Sequence, residues 1–532
     1  MTSEKRYRRF RAPVANGHVL CEPAWETLVE AVKCRRKTAE LDEIRLFGIP
    51  LSKLSVKARK SILSAAQAYT GQYFDAETSL SLDGPLIVTG HQPELFHPGV
   101  WYKKFSASRL ADACGGTAIS LIIDSDICRS SDIRVPTGEA ENPMIESVAF
   151  DKLASQVPYE ERLVLDRQAW ETFGERVTDT ISPLVGNPLI REWWPTVVAS
   201  NSKPNVGIAF SQARHRLEHT WGAHSWELPQ SKLCQTETFR LFALHLFAHA
   251  ADFRTAYNCA LKEYRTSHRL RNRAHPVPDL HSKEDWVESP FWIWNTADPV
   301  RRSLFVRSSA RGCQLTDRHA FHETLPMSLD SDPNLASSMM AEWESRGIKL
   351  RTRALTTTLF VRLLLADVFI HGIGGAKYDQ VTDELCRDFF GLSLPHYATV
   401  SGTLRLPVER TNHDLPSAPE IRQKIRNLTY HPERQLEHMQ FGPEDQSRIK
   451  RLVDTKNKWV RTAKTPMNAA TRHEEITAVN YQLQEWLIER KQHLEQEIAQ
   501  SKQESSIAQI LDSREYSYCL FPGEQLKEFL LR

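Results

Sequence analysis

The sequence predicts an α/β protein: a parallel sheet core interrupted by a large insertion, preceded by a helical N-terminal region and followed by a helical coiled-coil domain. Three observations carry this reading. PLIVTG at 85–90 and AISLIIDSD at 118–126 are short apolar runs, and the helical pattern VWYKKFSASRLADAC lies between them. Strand, helix, strand at this spacing is a parallel crossover, which is right-handed almost without exception. The same alternation returns after residue 351, where RTRALTTTLFVRLLL predicts a helix, DVFIHG a strand, GIGGAKYD a Gly-rich loop and YDQVTDELCRDFFGL another helix. Beyond about 410 the apolar spacing is helical throughout.

Taken in chain order, residues 1–82 predict helices in EPAWETLVEAVKCRRK and LSVKARKSILSAAQAYTGQYF, packed on the core. Residues 83–140 form the first half of the core, with Gly115 and Gly116 just past the end of its helix, where left-handed residues close helices. Residues 141–350 are the inserted region. Within it LCQTETFRLFALHLFAHAADFRTAYNCALKEYRTSHRL predicts one or two helices, and WVESPFWIWNTADPVRRSLFVRSS predicts strands around an Asp-Pro turn. Residues 351–410 are the second half of the core. Residues 411–532 carry the coiled coil: Ile476, Leu483, Leu487, Arg490, Leu494 and Ile498 nearly keep a three-four spacing. A helix over 468–505 would be roughly 57 Å long, with 443–463 as the opposing arm and a turn near Pro466.

Composition bounds the function classes. Lys plus Arg total 68 against 66 for Asp plus Glu, a net charge of +2. That near-cancellation argues against a bulk nucleic-acid coat and against a polybasic membrane anchor. The nine cysteines are scattered and never form Cys-x-x-Cys, so neither a disulfide framework nor a zinc knuckle is read from them. The basic start has no apolar core behind it, and the most apolar run, 354–372, carries Arg362 and Asp367. The expectation is a cytoplasmic protein.

In an open α/β sheet, ligands bind beyond the C-terminal ends of the strands. The 90–99 loop sits there and feeds a helix, whose N–H groups and dipole suit phosphate or carboxylate. Gly90 and Gly99 would let backbone approach a ligand, and His91, Gln92 and His97 can donate to phosphoryl oxygens. The competing structural use is His97 as helix cap with Pro98 in the first turn. In the second loop Gly372, Gly374 and Gly375 can take positive φ, Lys377 can reach a phosphate, and Tyr378 follows. Neither Gly-Lys-Ser/Thr nor Gly-x-Gly-x-x-Gly is present. At the end of the second strand, Asp124 and Asp126 can hold a ribose hydroxyl, an ammonium group or Mg²⁺, or serve as caps. Arg351 and Arg353 can meet an anion, although arginines beside a helix are ordinarily surface groups. RTSHRLRNRAH at 265–275 is a basic run, and Phe291, Trp292 and Trp294 fit a core better than a stacking platform. His215, His219 and His224 lack a carboxylate pattern for zinc, and no Gly-x-Ser-x-Gly signals a serine hydrolase.

VTGHQPELFHPG, VWYKKFSASRLA and LIIDSD together resemble the bacillithiol biosynthesis cysteine-adding enzymes, which have an apolar strand ending in Thr-Gly-Gln-Gln, a Gly/Pro loop, a Lys-containing helix and an acidic strand end. FIHGIGGAKY is similar to that family's Gly-Gly-Pro-Gly-Glu loop, and a long helical arm before SREYSYCLFPGEQL is similar to its C-terminal end. The sequence departs from the pattern at His91, at Asp124-Ser125-Asp126, which lacks a His, and at Ile373 and Gly375. The resemblance implies a Rossmann-like core related to class I aminoacyl-tRNA synthetases, with a coiled coil used for dimerisation. His97-Pro98-Gly99 is similar to the start of the synthetases' His-Ile-Gly-His signature, with Val100 in place of its second His.

What the resemblance implies functionally is a ligase that binds ATP or ADP, with Mg²⁺ as a further candidate cofactor. It would join an amino acid, cysteine in that family, to a small-molecule acceptor. His97 and Lys377 are the candidate catalytic residues; Gly90, His91, Gln92, Gly99, Asp124, Asp126, Gly372, Gly374, Gly375 and Tyr378 are the candidate nucleotide-binding residues. The expected partners are a small-molecule substrate and a second copy of the chain, with no nucleic acid and no membrane. The alternative is a non-catalytic scaffold that keeps the core as architecture and works through its coiled coil.

Overall fold

The computed structural model describes residues 7–33, 38–75, 84–152, 156–200, 205–272, 274–309, 312–327, 333–409 and 416–532. Cys34 and Arg273, which belong to the cysteine set and the basic run above, lie outside these. The chain divides into two units: residues 1–137, 145–407 and 514–532 form the larger, and residues 138–144 and 408–513 the smaller.

The larger unit is built on a six-stranded sheet ordered Val19–Glu22, Tyr397–Gly402, Val368–His371, Leu86–His91, Thr117–Ile122, Trp226–Pro229. The last five are parallel and Val19–Glu22 runs antiparallel at the edge. The central strands are apolar on both faces, because helices cover both: Ile87, Val88, Ile119 and Ile370 are all buried. The two predicted strands 85–90 and 368–371 are direct neighbours, with Val88 opposite Phe369. From Leu86–His91 the chain crosses over through the Pro98–Cys114 helix to one side of the sheet, and from Val368–His371 it crosses through the Ile373–Phe390 helix to the other side. Two right-handed crossovers leaving adjacent strands in opposite directions place their helices on opposite faces, and a crevice opens between the strand ends.

The Pro98–Cys114 helix ends as the sequence predicts. Gly115 takes φ 63°, ψ 35°, and its region closes with Gly116 N–H donating to the Ala111 carbonyl. A second, antiparallel sheet in the inserted region orders His322–Leu325, Gly312–Thr316, Asp298–Ser309, Trp286–Asn295 and Ile348–Thr352. Asp298 and Pro299 start a strand here; the turn they were expected to form lies at residues 296–297. The predicted long helical stretch is two helices, Glu237–Ala248 and Ala250–His268, parted at His249.

Four expectations are corrected. The N-terminal region is not wholly helical, since Val19–Glu22 joins the main sheet. The insertion is not separate from the core, since Trp226–Pro229 supplies its other edge. Arg351 and Thr352 close a strand and are not part of the following helix, and Arg351 and Arg353 are buried ion-pair partners of Glu160, Glu344 and Glu288. The stretch 373–379 is not a loop: it is the first turns of the Ile373–Phe390 helix, and Gly372, Gly374 and Gly375 do not take positive φ.

The smaller unit holds the helices Ala418–Tyr430, Pro432–Leu436, Pro443–Arg461, Ala469–Leu483 and Ile488–Leu511. Pro443–Arg461 and Ala469–Leu483 pair as the predicted hairpin. The expected unbroken 57 Å arm is interrupted by a 3₁₀ turn at Gln484–Leu487, after which Ile488–Leu511 packs on Ala418–Tyr430. Leu483, Leu487 and Leu494 are buried with Ile421, Leu428 and Leu436, so the apolar seam fills a bundle core within the unit. Residues 514–532, expected in the coiled-coil domain, belong to the larger unit. Among the described residues no helix is long and apolar enough to cross a membrane.

Candidate functional site

The crevice between the two neighbouring strands is a cavity of about 590 Å³. From the first βα segment it is lined by Gly90, His91, Gln92, His97 and Gly99, and from the second by Gly372, Gly374, Gly375, Lys377 and Tyr378. Lys103 and His371 from the same two segments, with Ser401 and Arg514 from elsewhere in the chain, complete it. Asp124 and Asp126 are not among the lining residues.

The two helix starts differ in what they offer. At Pro98–Cys114 the expected free N–H groups are absent from the first turn: Pro98 has none, Gly99 N–H donates to His97 Nδ1 at 3.1 Å, and Val100 N–H donates to the His97 carbonyl. His97 is therefore the cap. Gly99 serves close packing, because a Cβ there would stand 2.2 Å from the Gly402 carbonyl oxygen. At Ile373–Phe390 no side chain caps the helix, and the first bond belongs to Ala376, whose N–H donates to the Gly372 carbonyl at 3.0 Å. The N–H groups of Ile373, Gly374 and Gly375 have no partner among the described residues, and all three residues line the cavity. Unpaired N–H groups at the positive end of an 18-residue helix favour an anion.

Gly375 is also required by its neighbour, since a Cβ there would meet His371 Nδ1 at 2.5 Å. His371 cannot swing away: its Nε2 lies 2.6 Å from Asp379 Oδ2, which also accepts from Arg362 at 2.9 Å. Burial lowers the His371 pKa, so the neutral ring donates Nε2–H to Asp379. Asp379 in turn is held well below the usual carboxylate range by Arg362 and His371 against the cost of burial.

The histidines of the first loop are neutral at pH 7. Burial, then Arg514 and Lys103, push His97 down to about 3. Burial and Lys103 hold His91 well below 6.5. Neither side chain changes charge near neutrality. With Nδ1 of His97 accepting from Gly99, its proton sits on Nε2, which stands 3.5 Å from Arg514 Nη2 and 3.8 Å from Glu515 Oε2. His91 turns Nδ1 to the Gln92 carbonyl at 3.1 Å.

Gln92 and the two aspartates are committed to the protein. Gln92 Nε2 donates to Asp126 Oδ2 at 2.8 Å, and Arg301 Nη1 donates to Asp126 Oδ1 at 3.0 Å. Asp124 accepts from Ser231 N–H at 2.9 Å and from its hydroxyl, and burial raises its pKa to about 7. Neither is presented to a ribose or a divalent ion from this cavity, and no cluster of three or more His, Cys, Asp or Glu suited to a metal occurs among the described residues. These residues do not fit the expected Mg²⁺ role.

Sequence reasoning missed Lys103, His371, Ser401 and Arg514. Lys103 stands one helical turn after Gly99, and helical side chains lean toward the N-terminus, so it reaches back to donate to the Gly90 carbonyl at 3.0 Å. Arg514 arrives from far along the chain, with Nη2 on Ser401 Oγ at 3.2 Å and Nη1 on Thr403 Oγ1 at 3.3 Å. The assembled cavity offers three backbone donors, four basic side chains (Arg11, Lys103, Lys377 and Arg514) and a neutral imidazole donor. Compared with known proteins, the chain matches no family model and no curated protein.

Proposed function

We propose that this cavity binds the phosphates of ATP, and that the protein is a ligase-like enzyme of the cysteine-adding type. It would activate a carboxylate for attack by an amine, joining an amino acid to a small acceptor. One observation carries the reading: Ile373, Gly374 and Gly375, whose N–H groups are unpaired, line the same cavity as Lys103, Lys377 and Arg514, at the point where the strand order reverses. A cavity of about 590 Å³ suits a nucleotide-sized ligand.

In this reading the Gly-rich turn and Lys377 hold phosphoryl oxygens, Arg514 neutralises charge on the leaving group, and His97 Nε2–H donates as a neutral group. Fixed donors of this kind act by stabilising developing charge. Isothermal titration with ATP tests the binding. Wild type should bind, and Lys377→Ala and Arg514→Ala should each weaken binding by about tenfold or more, the range of a lost charged hydrogen bond. Nucleotide turnover should then appear only when a carboxylate acceptor and cysteine are both supplied. No binding of ATP or ADP at millimolar concentration would overturn the reading and leave the non-catalytic scaffold in its place.

A further inference from the structure

Lys103 and Lys104 are consecutive residues of one helix, both buried. Lys104 is matched by two carboxylates, Glu227 at 2.8 Å and Glu218 at 3.4 Å. Lys103 is not matched. Its Nζ donates to the Gly90 carbonyl, its stem passes the Gly372 backbone, and among the described residues no carboxylate lies within ion-pair distance. The groups around it are cationic or neutral: Lys104 and Arg214 from below, and His91, His97 and His371 around the cavity wall. Lys377, Arg514 and Arg11 line the same cavity, and the one carboxylate that lines it among the described residues, Glu515, is two-thirds exposed.

A buried ammonium ion without a counter-charge is expensive, and such a group sheds its proton instead. An anion entering the cavity supplies the missing charge. We infer that Lys103 is a neutral amine in the ligand-free protein and takes up one proton when a phosphate-bearing ligand binds, so that ligand binding and proton uptake are one event. Burial and the neighbouring Lys104 and Arg214 bring its pKa down to about 7, in keeping with this geometry. The inference rests on the phosphate-binding reading above and adds to it a proton linkage with a named carrier.

The experiment is calorimetric titration of the full chain with ATP at about pH 8, in buffers of low and high ionisation heat. Free Lys103 is then mostly deprotonated, and ATP is itself fully ionised. Wild type should take up close to one proton per ATP bound. Lys103→Met, nearly isosteric and uncharged, should bind ATP about tenfold or more weakly with no uptake. Lys103→Arg should restore affinity without uptake, because its charge is permanent. Lys377→Ala should lose affinity yet keep the uptake. Tight binding without uptake in wild type, or uptake that persists in Lys103→Met, would overturn the inference while leaving the phosphate site standing. Absence of any ATP binding in wild type would overturn both.

Discussion

Lys103 makes a stability prediction independent of any ligand. Its pKa falls from 10.5 to about 7 on folding, so the unfolded chain holds a proton that the folded chain lacks between those values. Folding is thus penalised fully below pH 7, and the penalty fades as pH rises toward 10.5. Lys103→Met should raise the thermal midpoint at about pH 6, and its advantage over wild type should shrink steadily by about pH 10. A variant that gains nothing at low pH would mean the ammonium has company not seen here. The sequence showed two adjacent lysines on a helix and no means of telling them apart; only the partners supplied by Glu218 and Glu227, more than 110 positions away, separate their fates. His97 was legible as either ligand or cap, and it is structurally the cap, since Pro98 and Gly99 leave one N–H for it to accept.

At the level of elements, the crossover at 86–122 was readable because both strands are continuous apolar runs and the helix between them ends on Gly115. Val19–Glu22 and Trp226–Pro229 were not, being four residues each with no alternation to detect. The glycines at 372, 374 and 375 signalled a special backbone, and all three line the candidate cavity. The reason differs from a strained loop: one glycine leaves its helix start uncapped and another makes room for an imidazole. The long C-terminal arm was misjudged because a three-four spacing cannot show where a helix turns to meet a neighbour. Leu487 is buried in the 3₁₀ turn that interrupts the arm. Leu487→Ala should therefore cost the smaller unit about 2–5 kcal/mol, measured by chemical denaturation followed at helical ellipticity. A loss below about 1 kcal/mol would mean the break is incidental to the bundle.

Across the larger unit, one buried ionic cluster ties the core together. Lys104 from the Pro98–Cys114 helix, Arg214 and Glu218 from the Val206–Thr220 helix, and Glu227 from the edge strand meet with less than a tenth of each side chain exposed. Glu227 accepts from Lys104 at 2.8 Å and from Arg214 at 2.9 Å, and Trp101 Nε1–H donates to Glu218 at 2.7 Å. Neutralising Glu227 would leave two buried cations, Lys104 and Arg214, sharing the single carboxylate of Glu218. Glu227→Gln should cost about 3–5 kcal/mol, read as a lowered urea midpoint, whereas a neutral result would mean the cluster tolerates water. No spacing in the sequence announces such a cluster, because its members come from three elements that only the folded sheet brings together.

Arg514 reaches His97 across 417 positions of chain, and Tyr518 N–H donates to the Phe96 carbonyl in the loop that His97 ends. During synthesis on the ribosome, both βα segments of the crevice emerge well before this clasp. A nascent chain paused short of residue 514 would own the glycine turn and its lysines but have an unfastened first loop. On the proposed phosphate-binding reading, competence for the ligand should therefore switch on late, after the intervening helical bundle has been made, and partial products should not bind ATP.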